Sequence, residues 1–526
     1  MRLFPMNVGQ TRMRLVQAGA ALTAAVLIAG CGNAYRSVVT PIVSSGPAAQ
    51  PSSYAVVVSA PSTTTPGVAT IIDYSGDTVM ATANIGPGPV SFSMDETGST
   101  GYTVNTDGTM TNFPVSTTLQ TKNVTYSTLS PTSAADPLGL SLFTPASGLW
   151  AADLSNPLAP VVDVFSGSPQ VLKLSIPVAK TPVMVIGSGS VGQRNYAISQ
   201  NLATSTGVEC NNSSAYPAAT GYATPLETSS NTADTALPVG ICPVFAIASS
   251  DGKRLFVLNR GDDTISVINI TNNTLDSCTP YTNLSGAYIT CHQTIPLSTS
   301  AVTKTGITPP NGTSGMKSTA GPIYAEFNTA TNMLVVADYD AGTISIIDVT
   351  LDEYGNDYNT YSNPSCTVGG VTSYANCGTV TGGFGSVYTV AVGNNPAAVT
   401  VLNDGSRAYT ANQTDQTVTI VDLSSHTVEK LLPVTGHPRD IASTQNSEYG
   451  KVYVSSPDSN LLTILTTTTD LVDTTVPVEG NILDVRVTTQ NGSSGNYNNV
   501  SRKPGYGQPC YLPGNQSTLA ACTLFP

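Results

Sequence analysis

Short hydrophobic runs alternate with polar turns along this chain, and the pattern returns as a phrase. "LFVLN" at 255–259 leads to "TISVIN" at 264–269, and "LVVAD" at 334–338 leads to "TISIID" at 343–348. "AYTAN" at 408–412 leads to "TVTIVD" at 417–422, and "VYVSS" at 452–456 leads to "LLTILT" at 461–466. The second run starts nine residues after the first in every copy. Val, Ile, Thr and Tyr fill the runs while Gly, Asp and Asn collect in the turns, so each unit predicts a β-hairpin. A further run containing Pro precedes each hairpin: "CPVFAIAS" at 242–249, "GPIYAEFN" at 321–328, "NPAAVTVL" at 395–402 and "HPRDIAST" at 437–444. A fourth follows, such as "TVEKLLPV" at 427–434.

Four antiparallel strands per unit, spaced 42 residues from Pro396 to Pro438, predict an all-β fold of propeller blades. One such sheet has two apolar faces and cannot hide either alone. Packing sheets around an axis buries both. Fainter copies lie upstream: "AVVVS" (55–59) with "VATIID" (68–73), "GYTVN" (101–105) with "TMTNFP" (109–114), and "LWAAD" (149–153) with "PVVDVF" (160–165). "NYAIS" (195–199) has a partner near "ATPLET" (223–228), blurred by an insertion. The first unit lacks its leading strand, and "NILDVRVT" at 481–488 supplies it from the far end of the chain. The count is eight blades, with seven as the alternative because the unit around 181–240 matches least.

The segment "SSDGKRLFVLNRGDDTISVIN" (249–269) resembles the YVTN repeat of bacterial β-propellers, the YncE-like proteins, and is similar to the lactonase propellers. The tetrapeptide is degenerate here, reading Phe256-Val257-Leu258-Asn259 in one copy and Tyr409-Thr410-Ala411-Asn412 in another. The resemblance is strong over 240–480 and faint over 53–240. It implies a fold more than an activity, because propellers host many unrelated functions.

The two ends bear on location. Arg2, Arg12 and Arg14 precede the small-residue apolar run "AGAALTAAVLIAGC", which reads as a signal peptide over 1–30. Ile28-Ala29-Gly30-Cys31 resembles the lipobox of bacterial lipoproteins. That resemblance implies a lipid on Cys31 and a chain that sits on a membrane without crossing it. Gly32 rather than Asp follows the cysteine, so outer-membrane anchoring, periplasmic or surface-facing, is expected. Residues 31–52 then read as a tether, 53–490 as the propeller and 491–526 as a stapled tail. Eight further cysteines fall in local couples, Cys210 with Cys242, Cys278 with Cys291, Cys366 with Cys377, and Cys510 with Cys522. Each couple would close an insertion or the tail as a disulfide; eight cysteines allow 105 connectivities, so this pairing is one choice among them. The absence of CxxC and the scatter of the three histidines argue against zinc.

Charge narrows the partners. Without residues 1–30 the chain keeps 17 Lys and Arg against 33 Asp and Glu, a net charge of −16. Such a surface repels phosphate backbones, so no nucleic acid is expected. The expected partner is a protein or glycan, met by a monomer through the long insertions at 200–240, 271–320 and 351–394.

Catalytic candidates are few. Of His292, His426 and His437, only His437 begins a leading strand, with Arg439 beside it, where both could approach the axis. These two are the weak candidates for a lactonase-like hydrolase. Asp73, Asp348 and Asp422 end third strands, where turn amides would occupy them. Asp262 with Asp263, and Asp338 with Asp340, suggest calcium without matching an EF-hand loop. The tripeptide RGD at 260–262 falls in an ordinary inter-strand turn, and the single Trp150 argues against a tryptophan motif in every blade. No cofactor is expected. Scarce acid–base chemistry favours a non-catalytic binding or scaffolding module over an enzyme.

Overall fold

A computed structural model describes residues 53–488 except 96, 116–124, 129–139, 146–147, 154–158, 168, 189–193, 203–218, 277–291, 298–319, 353–354 and 363–379. Residues 1–52 and 489–526 lie outside it, as do Cys31 and every other cysteine except Cys242. Among the described residues all regular elements are β-strands, and they form eight antiparallel blades. From blade 1 to blade 8 the innermost strands are Asn481–Val487, Pro89–Met94, Leu140–Phe143, Pro182–Gly187, Pro243–Ala248, Pro322–Asn328, Pro396–Val401 and Asp440–Ser443.

Two features build the repeated hairpin. Its β-branched runs pair in register, as in Leu255↔Ile268 and Leu258↔Ile265 of blade 5. Its turn then closes on a left-handed residue: Asp263 (φ 56), Gly342 (φ 67) and Gln416 (φ 56) in blades 5, 6 and 7. A right-twisted hairpin needs such a residue where the chain re-enters the ladder.

The ring closes where the sequence pattern expects it. Tyr54–Ala60 pairs with Asn481–Val487, with Val57 opposite Val485 and Ala55 opposite Val487. Alternation along Tyr54–Ala60 then serves two seams: Ala55 and Val57 pack with Tyr453 and Leu462 of blade 8, while Val56 and Val58 pack with Phe92 and Phe113 of blade 2. Similar apolar clusters fill the seams from blade 2 to 3, 3 through 5, 5 to 6 and 6 through 8. Among the described residues no interruption occurs around the circle, and mutual burial of sheet faces is what holds it.

Burial falls from axis to rim. Along six of the inner strands every residue is buried, as in Pro322–Asn328 and Asn481–Val487. The outermost strand of blade 8, Leu471–Pro477, is exposed at all but one position. Three details differ from the sequence reading. The inner strand of blade 8 starts at Asp440, leaving His437 and Arg439 in the connection before it. Blades 4 and 5 each carry a split outer strand, Thr232–Ala233 with Leu237–Ile241 and Thr274–Leu275 with Thr294–Pro296. Blade 6 carries an extra hairpin, Asn359–Tyr361 with Val380–Gly383, before its outer strand Val387–Ala391.

Candidate functional site

In each blade the turn between the second and third strands lies at the same end as the start of the inner strand. Pro243 pairs with Asn259 at that end, and Thr264 pairs with Pro296. The connection from the preceding blade arrives there too, and in blades 5, 7 and 8 an aspartate in the turn grips it. Asp262 accepts the Ile241 N–H at 3.0 Å, Asp415 accepts the Asn394 N–H at 2.7 Å, and Asp458 accepts the His437 N–H at 2.8 Å. Donor and acceptor are 21 residues apart each time.

His437 belongs to this series. Its Nδ1 meets Asp458 Oδ2 at 2.6 Å, and its Nε2 meets Gln416 Nε2 at 3.1 Å. With Nδ1–H donated to the carboxylate, Nε2 is an acceptor and takes the Gln416 amide proton. Both ring nitrogens are thereby engaged, the second by a turn residue of the neighbouring blade. Asn394 occupies the matching place in blade 7, with its Nδ2 on Asp415 Oδ1 at 2.9 Å. Gly436 (φ 73) precedes the clasp because a Cβ there would come within 2.6 Å of Asp458.

Arg439 is buried in a seam between blades. It is 2% exposed, and its Nε lies 3.3 Å from Asp440. Its Nη2 donates to the carbonyl of Leu483 on the closing strand. The guanidinium therefore spans the seam between blades 8 and 1. Arg486 acts likewise one seam further on, held by Asp484 at 2.7 Å and reaching the Phe92 carbonyl at 3.4 Å. The sequence placed His437 and Arg439 together; the structure aims one at the turn of blade 7 and the other at blade 1.

The acidic turns hold protein groups. Arg260 is 1% exposed, pairs with Asp340 at 3.0 Å and sits 5.5 Å over the Tyr339 ring. The Tyr339 hydroxyl donates to Gln413 of blade 7 at 3.0 Å. Asp262 also accepts the Thr264 hydroxyl at 2.7 Å, so in the RGD tripeptide the arginine is buried and the aspartate is spent on the turn. Asp263 accepts the Gly321 N–H of the next blade at 2.8 Å, and burial raises its pKa. Burial also pushes the Asp338 pKa up to about 7, against the opposing hydroxyls of Ser345 and Thr343. Asp73, Asp348 and Asp422 bind the amides of Ser75, Thr350 and Ser424. In Asp422, the Ser425 amide is the main cause of a lowered pKa.

Of the remaining candidates, His426 (φ 55) stacks on Tyr388 with centroids 4.1 Å apart. His292 contacts Asp357. Cys242 is buried and disulfide-bonded; Cys210, Cys278, Cys291, Cys366, Cys377, Cys510 and Cys522 lie outside the described residues. Sequence reasoning missed the clasp, although its aspartates stand in the repeated turns "GDD", "TDQ" and "PDS".

No family model matches the chain, and no curated protein matches it in sequence. Among solved structures it is similar to the dihydro-heme d1 dehydrogenase NirN, at 13% identity and a TM-score of 0.51, over 84% of this chain and 76% of that one. It is also similar to apo AztD from Citrobacter koseri (11%, TM-score 0.49, 83% and 97% of the two chains). A third likeness is to the periplasmic gluconolactonase PpgL of Pseudomonas aeruginosa (13%, TM-score 0.44, 83% and 99%). At these identities the likeness speaks to fold alone. Sheet order and the NirN likeness together define an all-β, eight-bladed β-propeller closed by its C-terminal strand.

Proposed function

We propose that this protein is a non-catalytic binding or scaffolding propeller of the YVTN/YncE-like kind, anchored by lipid on Cys31 to the outer membrane and presenting its insertions to a protein or glycan partner. The observation that carries the reading is the state of His437. Its ring nitrogens are engaged by Asp458 and by Gln416, a neighbouring-blade turn residue, so a role as general base would first have to displace the Gln416 amide. The buried inner strands support it, because a hydrolase working on the axis needs convergent polar groups open to substrate. Three of the cysteine couples would staple the insertions that meet the partner, and Cys510 with Cys522 the tail.

The rival is a lactonase-like hydrolase using His437 and Arg439. Purified protein assayed on sugar lactones should give no hydrolysis above the buffer rate, with His437→Ala indistinguishable from wild type. Turnover that His437→Ala lowers by about 100-fold or more, the scale expected of a lost general base, would establish the enzyme instead.

A further inference from the structure

Away from the clasped face, four ionisable side chains from four stretches of chain meet between blade 5 and the insertion of blade 6. Arg254 opens the second strand of blade 5, Asp276 follows Thr274–Leu275, and His292 precedes Thr294–Pro296. Asp357 stands in the insertion, just before Asn359–Tyr361. Arg254 Nε donates to Asp276 Oδ2 at 3.0 Å, and its Nη2 donates to the Gly355 carbonyl at 2.9 Å, with Asp357 Oδ1 3.9 Å away. His292 gives its backbone N–H to Asp357 Oδ2 at 2.9 Å, and its Nδ1 lies 3.2 Å from the same oxygen. Phe384, at the end of the insertion's hairpin, stacks on the His292 ring and packs against Phe256 of blade 5.

Arg254, Asp276 and Asp357 are each no more than 3% exposed. Two carboxylates there face one guanidinium, and a buried site tolerates that surplus poorly. The other ionisable groups nearby do not offset it. Lys253 is occupied by Asp251 at the rim, Asp352 accepts the Asn356 N–H, and Asp348 accepts the Thr350 N–H.

We propose that these side chains form a proton-operated latch, in which one proton shared by the Asp276 and Asp357 carboxyls fastens residues 355–362 of blade 6 to blade 5, and its loss loosens them. Burial, then the charge of Asp357, raises the Asp276 pKa to about 7 from an ordinary 3.8. A carboxyl shifted upward stabilises the docked form in acid. That contribution declines as pH rises from about 4 and is gone above about 7, by about tenfold in the opening equilibrium per pH unit. The latch stands whether or not the propeller proves catalytic.

The test is amide hydrogen exchange on the full chain at about pH 5.5 and about pH 7.5, corrected for the intrinsic exchange rate. Protection of peptides spanning 355–362 should fall by more than about tenfold at the higher pH, while peptides from Thr417–Pro433 of blade 7 hold steady. Asp276→Asn, which mimics the protonated carboxyl, should keep the acid level of protection at both values. Equal protection of 355–362 at the two pH values overturns the proposal, as does a parallel loss in blade 7. So does a wild-type pH response in Asp276→Asn. If that variant does not fold, the wild-type profile decides alone.

Discussion

An aspartate at the same turn position does the same work in three blades. Asp262, Asp415 and Asp458 each tie down the strand connection that arrives beside them, and in blade 8 the residue tied down is a histidine. Read as sequence, His437 with Arg439 two residues on looked like chemistry because the pair opened a leading strand, where both could approach the axis. Read as structure, it is the counterpart of Asn394, an amide in the same clasp. The turn aspartates were legible in the repeat, but their targets were not. Nothing in composition says that a connection 21 residues earlier returns to the same turn. Asp458→Ala should therefore cost stability, by about 1–3 kcal/mol, since it strands the His437 N–H and Nδ1–H in a half-buried site. Urea unfolding checks this. Asp458→Asn, which keeps one acceptor oxygen, should lose less, and equal losses would mean that the carboxylate charge matters more than the hydrogen bonds.

Strands and hairpins were the most readable level, for a physical reason. A hairpin is specified locally, by β-branched runs and a left-handed turn residue, so its period survives in the sequence. The same logic explains where the reading blurred. Blade 4 pairs Arg194–Ser199 with Thr220–Glu227 as expected, but the intervening stretch hides the nine-residue offset. The latch was not visible, because Arg254 and Gly355 are 101 residues apart and His292 and Asp357 are 65 apart. Within a blade, position from axis to rim sets the value of an apolar side chain. Leu465 and Leu471 lie on adjacent strands of blade 8, yet the first is fully buried and the second 50% exposed. Leu465→Ala should cost about 2–5 kcal/mol, through lost transfer energy and the cavity left behind. Leu471→Ala should stay within about 0.5 kcal/mol of wild type. Paired denaturation curves measure both, and similar losses would show that the outer strands are packed against something further.

For the whole molecule, the decisive element is the last inner strand. Asn481–Val487 supplies Ile482, Val485 and Val487 to the seam with blade 8 and Leu483 to the seam with blade 2. Polar bonds converge on it as well: Arg439 reaches Leu483, Arg486 reaches Phe92, and Tyr54 N–H binds the Thr488 hydroxyl at 2.8 Å. Its arrival from the far end of the chain was legible because the first repeat lacked a leading strand. Without it, Tyr54–Ala60 becomes an open edge and two apolar seams meet water. A chain ended after Gly480 should then lose its sharp thermal transition and bind a hydrophobic dye, whereas one ended after Gln490 should unfold much as the full chain does. Because a bare edge is a template for strand addition, a synthetic peptide of residues 481–488 should restore cooperative unfolding to the shorter chain. A Gly480 chain that melts as sharply as the Gln490 chain would show that seven complete blades and a three-stranded remnant hold together unaided, so that ring closure is not what stabilises this propeller.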